Sequence, residues 1–154
     1  MGPVRLDLPD GAASFEYLVL DFTGTLSLDG ALLPGVAERL RHLGSRLSIV
    51  VLTADTFGTA ARALTNLPVE VRVIRDGREK AEAVRSMGPE AVIAVGNGRN
   101  DVPMMEVAGL AVAVLGPEGA ASDLLAGADV ITRDILDALD LITHPLRLKA
   151  TLRD

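Results

Sequence analysis

From residue 17 to residue 142 the chain alternates short apolar runs with stretches of helical periodicity, and three of the runs stop abruptly at a polar loop. Residues 17–20 deliver Asp21, residues 47–52 deliver Thr53, and residues 91–95 deliver Gly96-Asn97-Gly98-Arg99-Asn100-Asp101. Runs this short and this apolar suit strands buried on both faces. Their alternation with helices predicts an α/β fold: a doubly wound, Rossmann-like, mostly parallel sheet with helices on both faces. Further strands are expected at 69–74, 110–115 and 129–131. Helices are expected at 57–64, 79–87, 102–107, 119–125 and 135–142. An earlier helix starts near Pro34, presents Val36, Leu40 and Leu43 on one face, and ends at Gly44.

The ends of the chain read differently. Residues 4–8 alternate with period two, Pro9-Asp10-Gly11 signals a turn, and residues 12–20 can return as a strand. Residues 1–16 therefore read as an N-terminal β-hairpin leading into the first core strand. Leu28-Asp29-Gly30 signals a second small turn. Residues 143–154 read as a loosely attached tail in which Leu146, Leu148 and Leu152 find packing partners. No linker, repeat or low-complexity tract interrupts residues 1–154, so a single domain is expected.

Composition narrows the function. Aromatic residues make up only 3%, so Val, Leu, Ile and Ala must fill the core. A net charge of −6 with no Lys/Arg block argues against nucleic acid as a partner. The absence of cysteine rules out disulfides and thiolate metal sites. No apolar run reaches the roughly 18 residues of a membrane span, and the N-terminus lacks a basic-then-apolar leader. The expectation is a soluble, cytoplasmic protein with no membrane partner.

Ligand sites in open α/β sheets lie beyond the carboxyl ends of the strands. Asp21, Thr53 and the loop of residues 96–101 all fall there, and Lys80 starts a helix between the second and third. Together they supply what phosphoryl transfer to a carboxylate needs. Asp21 is a candidate nucleophile. Thr53 offers a hydroxyl at the start of a helix. Lys80 offers positive charge, and Arg78 is the nearby alternative. Asp101 offers a carboxylate for Mg²⁺, with Asn97 and Asn100 as neutral ligands or supports behind it. Each also has an ordinary reading. Asp21 can end a strand, Asp55 can cap the helix after it, and the two asparagines suit a Gly-rich turn. Capping is the preferred role for Asp55. His42 and His144 read as surface or packing residues, Met104 and Met105 as core.

The motifs resemble those of the haloacid dehalogenase superfamily, and most closely the small relatives of the P-type ATPase phosphorylation domain. Asp21-Phe22-Thr23-Gly24-Thr25-Leu26 resembles the pumps' Asp-Lys-Thr-Gly-Thr signature. Leu52-Thr53-Ala54-Asp55 resembles their Thr-Gly-Asp motif, and Gly96 to Asp101 resembles Gly-Asp-Gly-x-Asn-Asp. The resemblance implies a Mg²⁺-dependent phosphatase in which Asp21 becomes an aspartyl phosphate. It implies that Asp21, the Thr23 carbonyl and Asp101 hold Mg²⁺. It also implies that Thr53, Ala54, Gly24 and Lys80 bind the phosphoryl group, with Asn97 and Asn100 behind them. Lys80 is preferred over Arg78 on this match.

Two departures stand out. Thr23 occupies the place where phosphatases of the superfamily carry an acid–base aspartate, a loss worth ~10²–10⁴-fold in rate. Asn97 replaces an aspartate of the pump motif, which weakens the expected Mg²⁺ site. Only 31 residues separate Asp21 from Thr53, and 26 separate Thr53 from Lys80, leaving no room for an inserted cap. The site is then open to a phosphorylated small molecule or macromolecule, or is covered by a second copy in a homo-oligomer. The pumps' membrane segments are missing, so ion transport is not expected. The competing expectation is a degenerate module that binds phosphate or a partner without turnover.

Overall fold

The computed structural model describes residues 2–8 and 10–153. Pro9 of the expected first turn lies outside the described residues, as do Met1 and Asp154. β1 (Val4–Leu8) and β2 (Gly11–Phe15) pair antiparallel, with Val4 opposite Phe15. The returning strand then breaks at Glu16. Its N–H donates to the Ala91 carbonyl and its carbonyl accepts from Ser48 N, which hands the chain to the main sheet.

That sheet comprises β3 (Tyr17–Asp21), β6 (Ser48–Thr53), β7 (Val69–Val73), β8 (Val92–Gly96), β9 (Leu110–Val114) and β10 (Val130–Thr132). The order is β10-β9-β8-β3-β6-β7, and every pairing is parallel. From β3 the chain winds outward through β6 to β7, then crosses to β8 and winds the other way. The strand order therefore reverses beside β3, where open sheets leave a crevice for ligands.

Strand period decides which side chain meets which layer. Leu18 and Leu20 of β3 join a core with α1 (Val36–Leu43), α2 (Thr59–Ala63) and α6 (Ile135–Thr143). Val19 points the other way, into a core with α3 (Gly77–Ser86), α4 (Val102–Val107) and α5 (Ser122–Gly127). Met104 and Met105 fill that second core, as expected. Ala94, Ala111 and Ala113 line its sheet face. Between β3 and α1 the chain makes the small hairpin of β4 (Ser27–Leu28) and β5 (Ala31–Leu32), turning at Asp29 and Gly30 with φ of 51° and 84°.

Several boundaries differ from the sequence reading. α2 begins at Thr59 rather than 57, because Gly58 holds a left-handed φ of 77° just before it. α5 begins at Ser122 rather than 119, since Gly119 is also left-handed. A short 3₁₀ turn, Pro89–Ala91, precedes β8. The expected loose tail is a helix, α7 (Pro145–Leu152), packed against β1 with Leu148 buried. Leu146 stays 79% exposed and finds no such partner. Among the described residues no helix is long and apolar enough to cross a membrane.

Candidate active site

The parallel register sets Asp21 beside Leu52, so the loops after β3 and β6 leave the sheet side by side. After Asp21 the chain folds back on the Phe22 carbonyl, which accepts from the N–H groups of Thr25, Leu26 and Ser27 and from the Ser27 hydroxyl. Gly24 makes this turn possible. Its φ is +77°, and a Cβ there would lie 2.6 Å from Asn97 Nδ2. Only glycine combines that backbone with so close an approach.

Thr53 ends β6 and is buried. Its hydroxyl oxygen accepts from Asp55 N at 3.1 Å. The Asp55 carboxylate in turn accepts from Phe57 N at 2.9 Å, Thr59 N at 2.7 Å and Ala60 N at 3.3 Å. The bond from Phe57 leads the group that holds the Asp55 carboxyl below the usual range. Asp55 therefore fastens the start of α2, the role preferred for it from sequence.

Lys80 sits in the first turn of α3, whose N-cap Asp76 accepts from Glu79 N at 3.0 Å. Gly77 lets this end approach the 3₁₀ turn Arg99–Asp101, since a Cβ on it would lie 2.5 Å from the Asn100 carbonyl oxygen. Lys80 Nζ is fully buried and donates to Asp21 Oδ1 at 2.9 Å and to Asp101 Oδ1 at 2.6 Å. Asp101 Oδ2 accepts from the N–H groups of Asn97 and Gly98 at 3.1 and 3.0 Å. Arg78 points into solvent and pairs with Glu82, so Lys80 is the cation at the site.

Two carboxylates therefore share one ammonium under little solvent. Burial, with help from Asp101 and against the pull of Lys80, pushes the Asp21 carboxyl up to about 7. Burial works to lower the Lys80 ammonium, but Asp21 and Asp101 outweigh it and hold Lys80 above its ordinary value. Lys80 stays charged while Asp21 changes charge near neutrality.

Above this pair opens a cavity of about 400 Å³, lined by Asp21, Thr23, Thr53, Ala54, Asn97 and Asn100 among others. Thr23 stands exposed at its mouth. Gly24 lies beneath the Asn97 amide, and Lys80 reaches Asp21 from the protein interior.

Asn97 has a structural reason to be an amide. Its Nδ2 donates to the Gly119 carbonyl at 3.0 Å, and its Oδ1 accepts from the Thr25 hydroxyl at 3.1 Å. A carbonyl only accepts, so the nitrogen must face Gly119. Thr25 Oγ1 also lies 3.3 Å from Asp21 Oδ2. Ala121 N donates to the Asn97 carbonyl at 2.8 Å. Asn97 thus ties the loop after β9 to the loop that carries Asp21. Asn97→Asp would set a carboxylate oxygen against the Gly119 carbonyl. It is expected to cost about 1 kcal/mol or more and to speed hydrogen exchange in residues 115–121, which exchange mass spectrometry would detect. The sequence reading placed Thr25 in a motif but gave it no role, and it did not reach this loop. The one visible signal was the pair Gly116 and Gly119, both left-handed, flanking Pro117-Glu118.

The chain belongs to the haloacid dehalogenase-like hydrolase family, whose sequence profile matches residues 51–137. It is 48% identical over 63 residues to an uncharacterized protein of Methanocaldococcus jannaschii, covering 41% of this chain and 68% of that one. Its fold is that of solved phosphatases at low identity. The cobalt-bound deoxy-D-mannose-octulosonate 8-phosphate phosphatase of Haemophilus influenzae superposes with a TM-score of 0.72 at 14% identity, over 85% of this chain and 88% of that one. The 3-deoxy-D-manno-octulosonate 8-phosphate phosphatase of Moraxella catarrhalis, in complex with magnesium ion, phosphate ion and KDO, gives 0.71 at 16% identity, over 85% and 87%.

Proposed function

We propose that the protein is a Mg²⁺-dependent phosphohydrolase that works through an aspartyl phosphate on Asp21. The observation that carries this reading is the Asp21–Lys80–Asp101 bridge at the floor of an open cavity, with Thr53 in its wall. In the first step an Asp21 oxygen bonds to phosphorus. The bond from phosphorus to the leaving group breaks, and the leaving group departs with its electron pair and takes a proton from water. In the second step water attacks the phosphorus, the bond to Asp21 breaks, and inorganic phosphate leaves with Asp21 restored. Lys80 holds Asp21 Oδ1 in place and offsets the charge of both carboxylates throughout.

The donor set suits Mg²⁺. Asp21 and Asp101 are hard oxygen ligands brought together by one lysine, and Thr23 has its backbone carbonyl in the adjoining loop. Mg²⁺ commonly takes one or two carboxylates and keeps several waters. Bound there, it would neutralise charge on the phosphoryl oxygens. The metal-bound phosphatases of the same fold support this assignment. The natural substrate is then a phosphorylated small molecule or macromolecule met in the cytoplasm, with a second copy of the chain as the candidate cover for the open mouth.

Phosphate release from p-nitrophenyl phosphate, with and without Mg²⁺, tests the proposal. Mg²⁺-dependent release supports it. No release from folded protein at high concentration favours a module that binds phosphate or a partner without turnover, a reading that Thr23 in the acid–base position supports. That position yields a second test. Thr23 is exposed at the mouth, so an aspartate has room there. Thr23→Asp is expected to raise the hydrolysis rate of alkyl phosphates by ~10²-fold or more, measured as steady-state phosphate release. An unchanged rate would mean that proton transfer to the leaving group does not limit turnover.

A further inference from the structure

Phe57 is the most exposed large apolar side chain among the described residues, at 83%. It does not sit on a wandering loop. Its N–H donates to Asp55 Oδ1 at 2.9 Å, and its carbonyl accepts from Arg62 Nη1 at 2.9 Å. Asp55 itself borders the catalytic cavity. The chain therefore fastens the backbone of Phe57 on both sides, two residues from the cavity wall, and leaves the ring in water. Leaving an aromatic ring in water forgoes the burial that usually stabilises it. The β4–β5 hairpin stands next to this loop, since a Cβ on Gly30 would lie 3.2 Å from the Thr59 methyl. That hairpin carries another exposed apolar residue, Leu28. Polar groups thus line the cavity, and exposed apolar side chains lie on the adjoining segments, Phe57 two residues after Asp55 and Leu28 on the hairpin.

In-line phosphoryl transfer requires the leaving group to lie opposite the attacking oxygen. Asp21 attacks from the floor, so the leaving group of a bound substrate must project outward, past the rim. We propose that Phe57 receives that leaving group, and that the preferred substrates carry a planar aromatic ring next to the phosphoryl group. The inference rests on the phosphohydrolase reading and adds the substrate class to it. A ring held by a fixed backbone binds a second ring at little cost in order, and such contacts commonly change affinity roughly tenfold.

Benzoyl phosphate and acetyl phosphate test it, because both release a carboxylate of similar basicity and differ in the ring. The wild type is expected to favour benzoyl phosphate in kcat/KM. In Phe57→Ala the benzoyl-to-acetyl ratio is expected to fall roughly tenfold, through KM for benzoyl phosphate rather than kcat. Phe57→Trp is expected to restore it, and Phe57→Leu to restore it only in part. Activity on both substrates with the same ratio in wild type and Phe57→Ala overturns the role of Phe57 and leaves the phosphohydrolase reading intact. Release from neither substrate, in folded protein with Mg²⁺, overturns both.

Discussion

Asp21→Asn is expected to abolish phosphate release and yet to make the metal-free protein more stable at neutral pH. Loss of a nucleophile removes the covalent route, and comparable deletions cost up to ~10⁶-fold in kcat. Burst and steady-state phosphate assays at high enzyme concentration measure this. The stability effect follows from burial. The Asp21 carboxyl titrates near 7 in the fold and near its ordinary 3.8 when unfolded. For an acid with a raised value, the unfolded chain releases its proton first. The folded state then holds the extra proton between those limits, so stability falls as pH rises from about 4 to about 7. Asparagine mimics the protonated acid and carries no such slope. Thermal melts in EDTA should therefore show the two proteins converging near pH 4, with Asp21→Asn the more stable at pH 7 and above. A wild type that melts higher than the variant at every pH would contradict the assigned burial and charge of this group.

Lys80→Met should have the opposite sign. It leaves Asp21 and Asp101 facing each other without their shared cation, and both are buried. Removing one partner from a buried ion pair typically costs about 3–5 kcal/mol. For a chain of this length that corresponds to a fall in Tm of roughly 10 °C or more. The deficit should shrink as pH falls, because protonation of Asp21, whose carboxyl is already raised by burial, removes the repulsion that the lysine had offset. Circular dichroism melts from pH 4 to pH 8 measure both the deficit and its pH dependence. A loss of activity without a loss of stability would mean that Lys80 is not the counter-charge the geometry makes it.

The parts of the site that were legible in the sequence are those the sheet itself positions. Asp21, Thr53 and the loop that carries Asp101 each follow a strand. Parallel strands end on one side, so their loops meet whatever the details between them. Lys80 was legible as one of two cations at a helix start beside those loops, and only the resemblance preferred it to Arg78. What escaped depends on contacts between loops. Thr25 reaches Asn97 across 72 residues, and Asn97 reaches Gly119 across 22. Neither pairing leaves a local pattern. From sequence Asn97 read as a neutral ligand or a support behind the metal site, and the fold adds that its amide bridges a hydroxyl and a carbonyl. The helix α7 was missed for a similar reason. Its segment read as a loosely attached tail with leucines to pack, and only the folded hairpin offers the β1 surface on which Leu148 is buried.

The shared lysine also dictates an order for evolutionary change. With Asp21 neutralised, Lys80 still has Asp101 at 2.6 Å and the interior holds a matched pair. With Lys80 lost first, two buried carboxylates oppose each other and the fold weakens. A lineage that gives up the chemistry can therefore discard its nucleophile in one step and keep a sound protein, but must shed the lysine afterwards. Descendants that bind without catalysing should retain Lys80 beside an asparagine at position 21, and the reverse combination should be rare.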